Sequence, residues 1–222
     1  MRIAAKRQIK EIRKEELIVA TLRSIRKHGY VNSTINTIAE ESGLSRGLIN
    51  HYFESKEELL IFATRYYWRN VDDFFRHVVS STEGGHFEKL LHAVYVTFLR
   101  ETGFDKMMVH YYGAAYLMPA VLDMHRDMWA RYRKSIERRI AAVCREKNFI
   151  LDTRLAAITL TQLVDGLWLG YAMEKSYSHE DCRRILRQWL CEQFKEDPDN
   201  YPLTPGFDLN DYETSAPLPA PE

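Results

Sequence analysis

Cysteine is scarce in this chain and odd in number. Cys144, Cys182 and Cys191 are the only three in 222 residues, and none forms a C-x-x-C pair. That argues against a disulfide framework and points to a reducing, cytoplasmic compartment. Proline is nearly missing before residue 198: Pro119 stands alone there, and the other six lie at Pro198 or later. Alternating β-branched runs are few, which argues against sheet. No apolar run reaches the roughly 18 residues of a membrane span. The start, MRIAAKRQIKEIRKEE, is charged throughout and lacks the apolar centre of a signal peptide. No Gly-rich phosphate loop or H-x-x-x-H metal spacing occurs. No catalytic residue, metal or cofactor is therefore expected, and the protein is not expected to be an enzyme.

What is present is helical periodicity. The first helix is predicted from about Lys6 to His28, with Gly29 stopping it. A short helix follows, capped by Ser33 or Thr34, with Ile35, Ile38 and Ala39 as its inner face. Gly43 ends it in a turn, and Ser45 caps a third helix running to about Phe53. Ser55 and Glu58 form an S-x-x-E capping box that opens a fourth helix reaching about Ser80. Further helices are predicted over about 86–101, 104–116, 119–147, 152–174 and 179–195. The expected fold is all-α, with about nine helices. Residues 1–54 are read as a head, 55–196 as a helical body and 197–222 as an acidic, Pro-rich tail, extended or disordered. Net charge is zero, yet residues 1–14 carry a balance of +5 and residues 192–222 one of −7. A basic start beside a short helical hairpin suits phosphate contact.

The hairpin carries the chemistry. Two short helices joined at Gly43 fit a helix-turn-helix, whose second helix enters the DNA major groove. Leu44, Ile49 and Phe53 are expected inside. Arg46, Gly47, Leu48, Asn50 and His51 are left outside. Arg46 suits guanine, Asn50 suits adenine, and Leu48 suits a thymine methyl. Gly47 gives up roughly 1 kcal/mol of helix propensity and clears space for the duplex. Thr34, Ser45, His51, Tyr52 and Lys56 complete the candidate DNA-contacting set, with Tyr52 and Lys56 placed for phosphates.

The run TINTIAEESGLSRGLINHYFESKEEL, residues 34–59, resembles the DNA-binding motif of the TetR family of bacterial repressors. The matching features are T-x-x-x-I-A at 34–39, G-[VL]-S-x-G at 43–47, H-Y-F at 51–53 and K-x-x-L at 56–59. The resemblance implies a three-helix DNA-binding head, a helical ligand-binding body and a homodimer on double-stranded operator DNA. LVDGLWL at 163–169 and GLSRGLINHYF at 43–53 are similar to the choline-sensing betaine regulators (BetI type) of that family, which implies a choline-like amine as effector.

The body offers its own clues. Tyr95, Tyr111, Tyr112, Tyr116, Trp129, Trp168 and Tyr171 are candidates for a cage that holds a quaternary ammonium by cation–π attraction. Asp165, one turn before Trp168, could balance the charge. Tyr132 belongs to the same aromatic population. Gly166 and Gly170 share a helix face, and Ile185, Leu186 and Trp189 lie on an apolar stripe. These five are the expected dimer interface. The expected function is a ligand-responsive transcriptional repressor, homodimeric and cytoplasmic, with no membrane partner. The alternative is an all-helical small-molecule-binding protein or enzyme with a structural hairpin, which would lack the steep salt dependence of a DNA reader.

Overall fold

A computed structural model describes the backbone of residues 2–99 and 104–204, and the side chains of residues 9–99 and 109–204. Among the described residues there are nine α-helices and no strand: α1 (Arg2–Asn32), α2 (Ile35–Ser42), α3 (Arg46–Tyr52), α4 (Lys56–Ser81), α5 (His86–Tyr95), α6 (Phe104–Leu117), α7 (Pro119–Glu146), α8 (Thr153–Glu174) and α9 (His179–Phe194). Short 3₁₀ turns follow α5 at Val96–Phe98 and α9 at Pro198–Asn200. The all-α expectation holds. Gly29 interrupts α1 with φ 79° and ψ 168°, a conformation open essentially to glycine alone. A Cβ there would also stand 3.1 Å from the His110 ring of α6.

By contact density the chain divides into two units. The first holds α1, α2, α3, α4 up to Val71, and α6. Its core includes Leu17, Leu22, Ile25, Ile38, Ile49, Leu59 and Leu60, all at most 1% exposed. The buried Tyr30 and Thr64 hydroxyls bond to each other, and Tyr66 donates to Glu15 at 3.0 Å.

The second unit holds the rest of α4, α5, most of α7, α8 and α9. Here α9 packs on α5 and on α8. Phe87 meets Phe194 edge-on at 5.6 Å, over a core that includes Leu90, Ile136, Ile140, Leu160, Trp168 and Leu190. Asp152 caps α8 by accepting from the backbone of Arg154 and Leu155. Ser178 and Asp181 cap α9 reciprocally. Among the described residues α8 alone is long and apolar enough to cross a membrane by length and composition. Its Ala157, Leu160, Thr161, Val164 and Trp168 are buried in the unit.

The expected extended tail begins with an ordered piece. Tyr201 is buried, with its ring 4.6 Å from Phe87. Its hydroxyl donates to Glu196 at 2.7 Å, and its carbonyl accepts from Arg187 at 2.8 Å. A large ring gains most by leaving water, and Phe87 gives it an apolar surface. Residues 205–222 of the expected tail lie outside the described residues.

Candidate functional site

The hairpin is built from local chemistry. Thr34 caps α2: its hydroxyl accepts from the Thr37 amide at 3.2 Å, and the Thr34 amide donates back to Thr37 Oγ1 at 2.9 Å. Of the two expected caps, Thr34 does the work. Ser33 is instead buried, donating to the Gly29 carbonyl at 2.8 Å and meeting Ser24 at 3.1 Å. Ser24 also bonds Thr37 at 2.8 Å, which ties α1 to the first turn of α2. Gly43 closes α2 in the left-handed region, φ 67°. Nothing lies within 4 Å of a Cβ built there, so the turn needs its φ and not its small size.

Ser45 then caps α3, accepting from the Leu48 amide at 3.3 Å. Ile38, Ile49 and Phe53 are at most 3% exposed and lock α2 against α3. At the start of α4, Ser55 accepts from the Glu58 amide at 3.0 Å. The return bond of the expected capping box is shifted by one residue, for Glu58 accepts from the Glu54 amide at 2.6 Å.

The outer face of α3 is left to solvent. Arg46, Gly47, Asn50 and His51 are exposed, as are Thr34 and Ser45; Leu48, Tyr52 and Lys56 are half-buried. His51 and Tyr52 meet edge-on at 5.3 Å. Among the described residues Arg46 and Asn50 make no side-chain hydrogen bond or ion pair, so their donors are available. A Cβ on Gly47 would meet nothing within 4 Å. The fold therefore gives no reason for a glycine there. Nearby, Lys10 is exposed, while Arg13 pairs with Glu16 at 2.6 Å. The side chains of Arg2, Lys6 and Arg7 lie outside the described residues.

The expected cage residues separate into groups. In the first unit, Tyr111 is buried and meets Trp68 at 5.4 Å and Tyr112 at 6.0 Å. Burial pushes its hydroxyl pKa up. Tyr116 is 86% exposed, so the i, i+4 pairing of Tyr112 with Tyr116 does not put both into a core. Ala114 and Ala115 just before it are buried, so Tyr116 lies on the wet side of α6.

In the second unit, Trp129 meets Tyr132 edge-on at 5.3 Å, and Tyr132 meets Phe75 at 6.0 Å. Tyr132 is held well above the usual phenol range, first by burial and then by the nearby Asp165 carboxylate, with Arg139 opposing. Trp129 and Asp165 thus converge on Tyr132. Arg139 lies over Phe75 at 5.4 Å, and burial lowers its pKa. Trp168 and Tyr95 are core residues, 2% and 0% exposed. The Tyr171 ring lies tilted against that of His179, centroids 4.2 Å apart.

The sequence did not single out Phe75, Arg139 or Trp68. Trp68 and Phe75 are seven apart on one helix, a spacing that puts both on one face, and that was the available signal.

Two of the expected interface residues are occupied within their own chain. Leu186 is fully buried within its own chain. Gly170 makes room for Tyr177, whose hydroxyl would stand 2.0 Å from a Cβ there and donates to the Leu167 carbonyl at 2.9 Å. Its smallness serves this chain's own α8–α9 connection. Gly166 is open on its face, Ile185 is 43% exposed and Trp189 half-buried.

Comparison with known proteins agrees with this geometry. Residues 17–61 match bacterial regulatory proteins of the tetR family. Residues 87–195 match the C-terminal region of BetI-type transcriptional repressors. The chain is 33% identical to the HTH-type transcriptional regulator BetI of Cronobacter sakazakii (strain ATCC BAA-894), over 82% of this chain and 91% of that one. It is 30% identical to BetI of Stenotrophomonas maltophilia (strain R551-3), over 83% and 94%. The fold superposes on a transcriptional regulator from Pseudomonas aeruginosa PAO1 with TM-score 0.74 and 25% identity, covering 86% of this chain and 95% of that one. It also superposes on a Saccharomonospora viridis regulator in complex with choline, with TM-score 0.71 and 24% identity, covering 81% and 96%. The chain belongs to the TetR family of bacterial regulatory proteins, with a BetI-type C-terminal region, and is a ligand-responsive transcriptional regulator rather than an enzyme.

Proposed function

We propose that the chain is a cytoplasmic, homodimeric repressor, with residues 1–54 as DNA-binding head and 55–196 as effector-binding and dimerisation body. Each subunit lays α3 in the major groove of one half of a palindromic operator. The observation that carries this reading is the outer face of α3. Arg46 and Asn50 have no partner among the described residues, and Gly47 between them has no packing reason to be glycine. Arg46 reads guanine, Asn50 reads adenine and Leu48 touches a thymine methyl. Thr34, Ser45, His51, Tyr52 and Lys56 hold the phosphate backbone.

The effector is a quaternary amine such as choline. Two things support this: the convergence of Trp129, Tyr132, Phe75 and Asp165 in the second unit, and the choline complex of a protein with the same fold. Aromatic faces attract the ammonium, and Asp165 offsets its charge. Helix α4 carries Lys56 in its first turn and Phe75 further along. A ligand that shifts Phe75 acts on the helix that also carries the candidate phosphate contact Lys56. The effector must favour one conformation over the other, with a coupling on the order of 1–3 kcal/mol. Dimerisation uses Gly166, Ile185 and Trp189, joined by the exposed Leu155, Leu169 and Met173 of α8.

The test is fluorescence anisotropy on DNA from upstream of the gene, with and without choline. Choline is expected to weaken binding. Trp129→Ala and Asp165→Asn are expected to keep DNA affinity and lose the response. If choline changes neither affinity nor melting temperature while uncharged or anionic ligands do, the amine assignment is wrong.

A further inference from the structure

The BetI-type match ends at residue 195, yet the described chain goes on to residue 204 and is held down there. The Tyr201 ring lies against Phe87, its hydroxyl bonds Glu196 and its carbonyl fixes Arg187. Glu196 is itself paired with Lys147 at 2.6 Å. These anchors set the position of the next apolar side chain, Leu203. It forms one wall of an open groove of about 620 Å³, lined also by Arg184, Ile185, Gln188, Trp189 and Glu192.

We propose that Pro198–Thr204 is a strap that belongs to the homodimer interface, with Leu203 of each copy presenting an apolar wall to α9 of the other. The proposal rests on the dimer reading above. The occupant is a second copy of this chain because the groove is complementary to itself. A two-fold contact sets one patch against the same patch. Along α9, Arg184 and Glu192 flank Gln188 at four residues on either side, roughly 6 Å each way. An antiparallel crossing centred on Gln188 brings Arg184 of one copy to Glu192 of the other. Between these charges Ile185, Trp189 and Leu203 supply apolar surface, beside Arg187 and Gln188. Exposed apolar residues continue on α8, at Leu155, Leu169 and Met173. With Gly166 they share one face of α8 at helical spacing, a stripe left exposed among the described residues. A single helix stripe is narrow, and the strap widens the surface beside α9.

Sedimentation equilibrium of the full chain tests this. Leu203 is only half-buried, so Leu203→Glu should leave the fold intact, and far-UV circular dichroism verifies that. Each dimer then loses two apolar contacts and gains two desolvated charges. The dimer dissociation constant is expected to rise at least about 100-fold, roughly 2.8 kcal/mol at 1.4 kcal/mol per decade. Leu203→Ala should raise it about 10-fold, half of that on the same scale. A chain truncated after Thr204 keeps the strap and should dimerise like the wild type. A wild-type dimer indifferent to Leu203→Glu overturns the strap and leaves the dimer standing. A wild-type chain that stays monomeric at high micromolar concentration overturns both.

Discussion

Replacing Gly47 by alanine should move stability and function in opposite directions. Gly47 is the second residue of α3, exposed, with nothing within 4 Å of a Cβ built there. Alanine therefore fits without strain. An interior glycine-to-alanine change in a helix is worth about 0.8–1.0 kcal/mol, and a first-turn site realises part of that, about 0.5 kcal/mol. At about 2–4 °C per kcal/mol for a domain of this size, the melting temperature should rise by about 1–2 °C. The added methyl points to the same side as the free donors of Arg46 and Asn50. If that side meets base edges, the methyl holds the helix off the groove. The loss of even one bidentate base contact is about 1–3 kcal/mol, so operator affinity should fall by about 10-fold or more. Differential scanning fluorimetry and anisotropy on one preparation measure both. A more stable variant with undiminished affinity would refute the clearance role, and a less stable one would refute the reading of Gly47 as free of packing duty.

Gly29→Ala should destabilise by about 1–3 kcal/mol, since φ 79° and ψ 168° suit glycine alone and the His110 ring crowds the site. Calorimetry should find a fall in melting temperature. Ile49→Ala should cost about 2–5 kcal/mol as a large-to-small change at a fully buried site. It should also abolish specific DNA binding by loosening α3. Burial holds His92 and His125 below the usual imidazole pKa. The unfolded chain therefore binds more protons than the folded one below about pH 6.5. Stability should fall as pH drops from there towards the depressed native values and level off below them. Urea midpoints at several pH values should trace this, with a shallower slope in His92→Gln.

Much of this was legible because it is local. Gly43 followed by Ser45 specifies a left-handed turn and a cap within three residues. Ile38 and Ile49 follow from period alone. Asp152, Ser178 and their neighbours mark helix starts by side chains that bond amides two or three residues away. What sequence could not reveal is which faces meet. Helical spacing put Tyr112 with Tyr116, but α6 turns Tyr116 to water. It put Leu186 on the α9 stripe, but that stripe is wide enough to face both the core and the outside. Gly170 resembled a helix-packing glycine, and its actual neighbour, Tyr177, sits in the α8–α9 loop. The Trp129, Tyr132 and Asp165 cluster joins α7 to α8, and no local spacing encodes that meeting. Tyr201 was hidden by the composition of its surroundings, because one buried ring can anchor a segment that reads as polar and Pro-rich.

The central claim is that α3 reads operator sequence through Arg46 and Asn50. Selection of binding sites from a random duplex library, followed by anisotropy on the selected site, measures it directly. The wild-type chain should enrich a palindrome, and Arg46→Ala combined with Asn50→Ala should reduce its affinity to that for unrelated DNA. Equal affinity of the double variant and the wild type for the selected site would contradict the account.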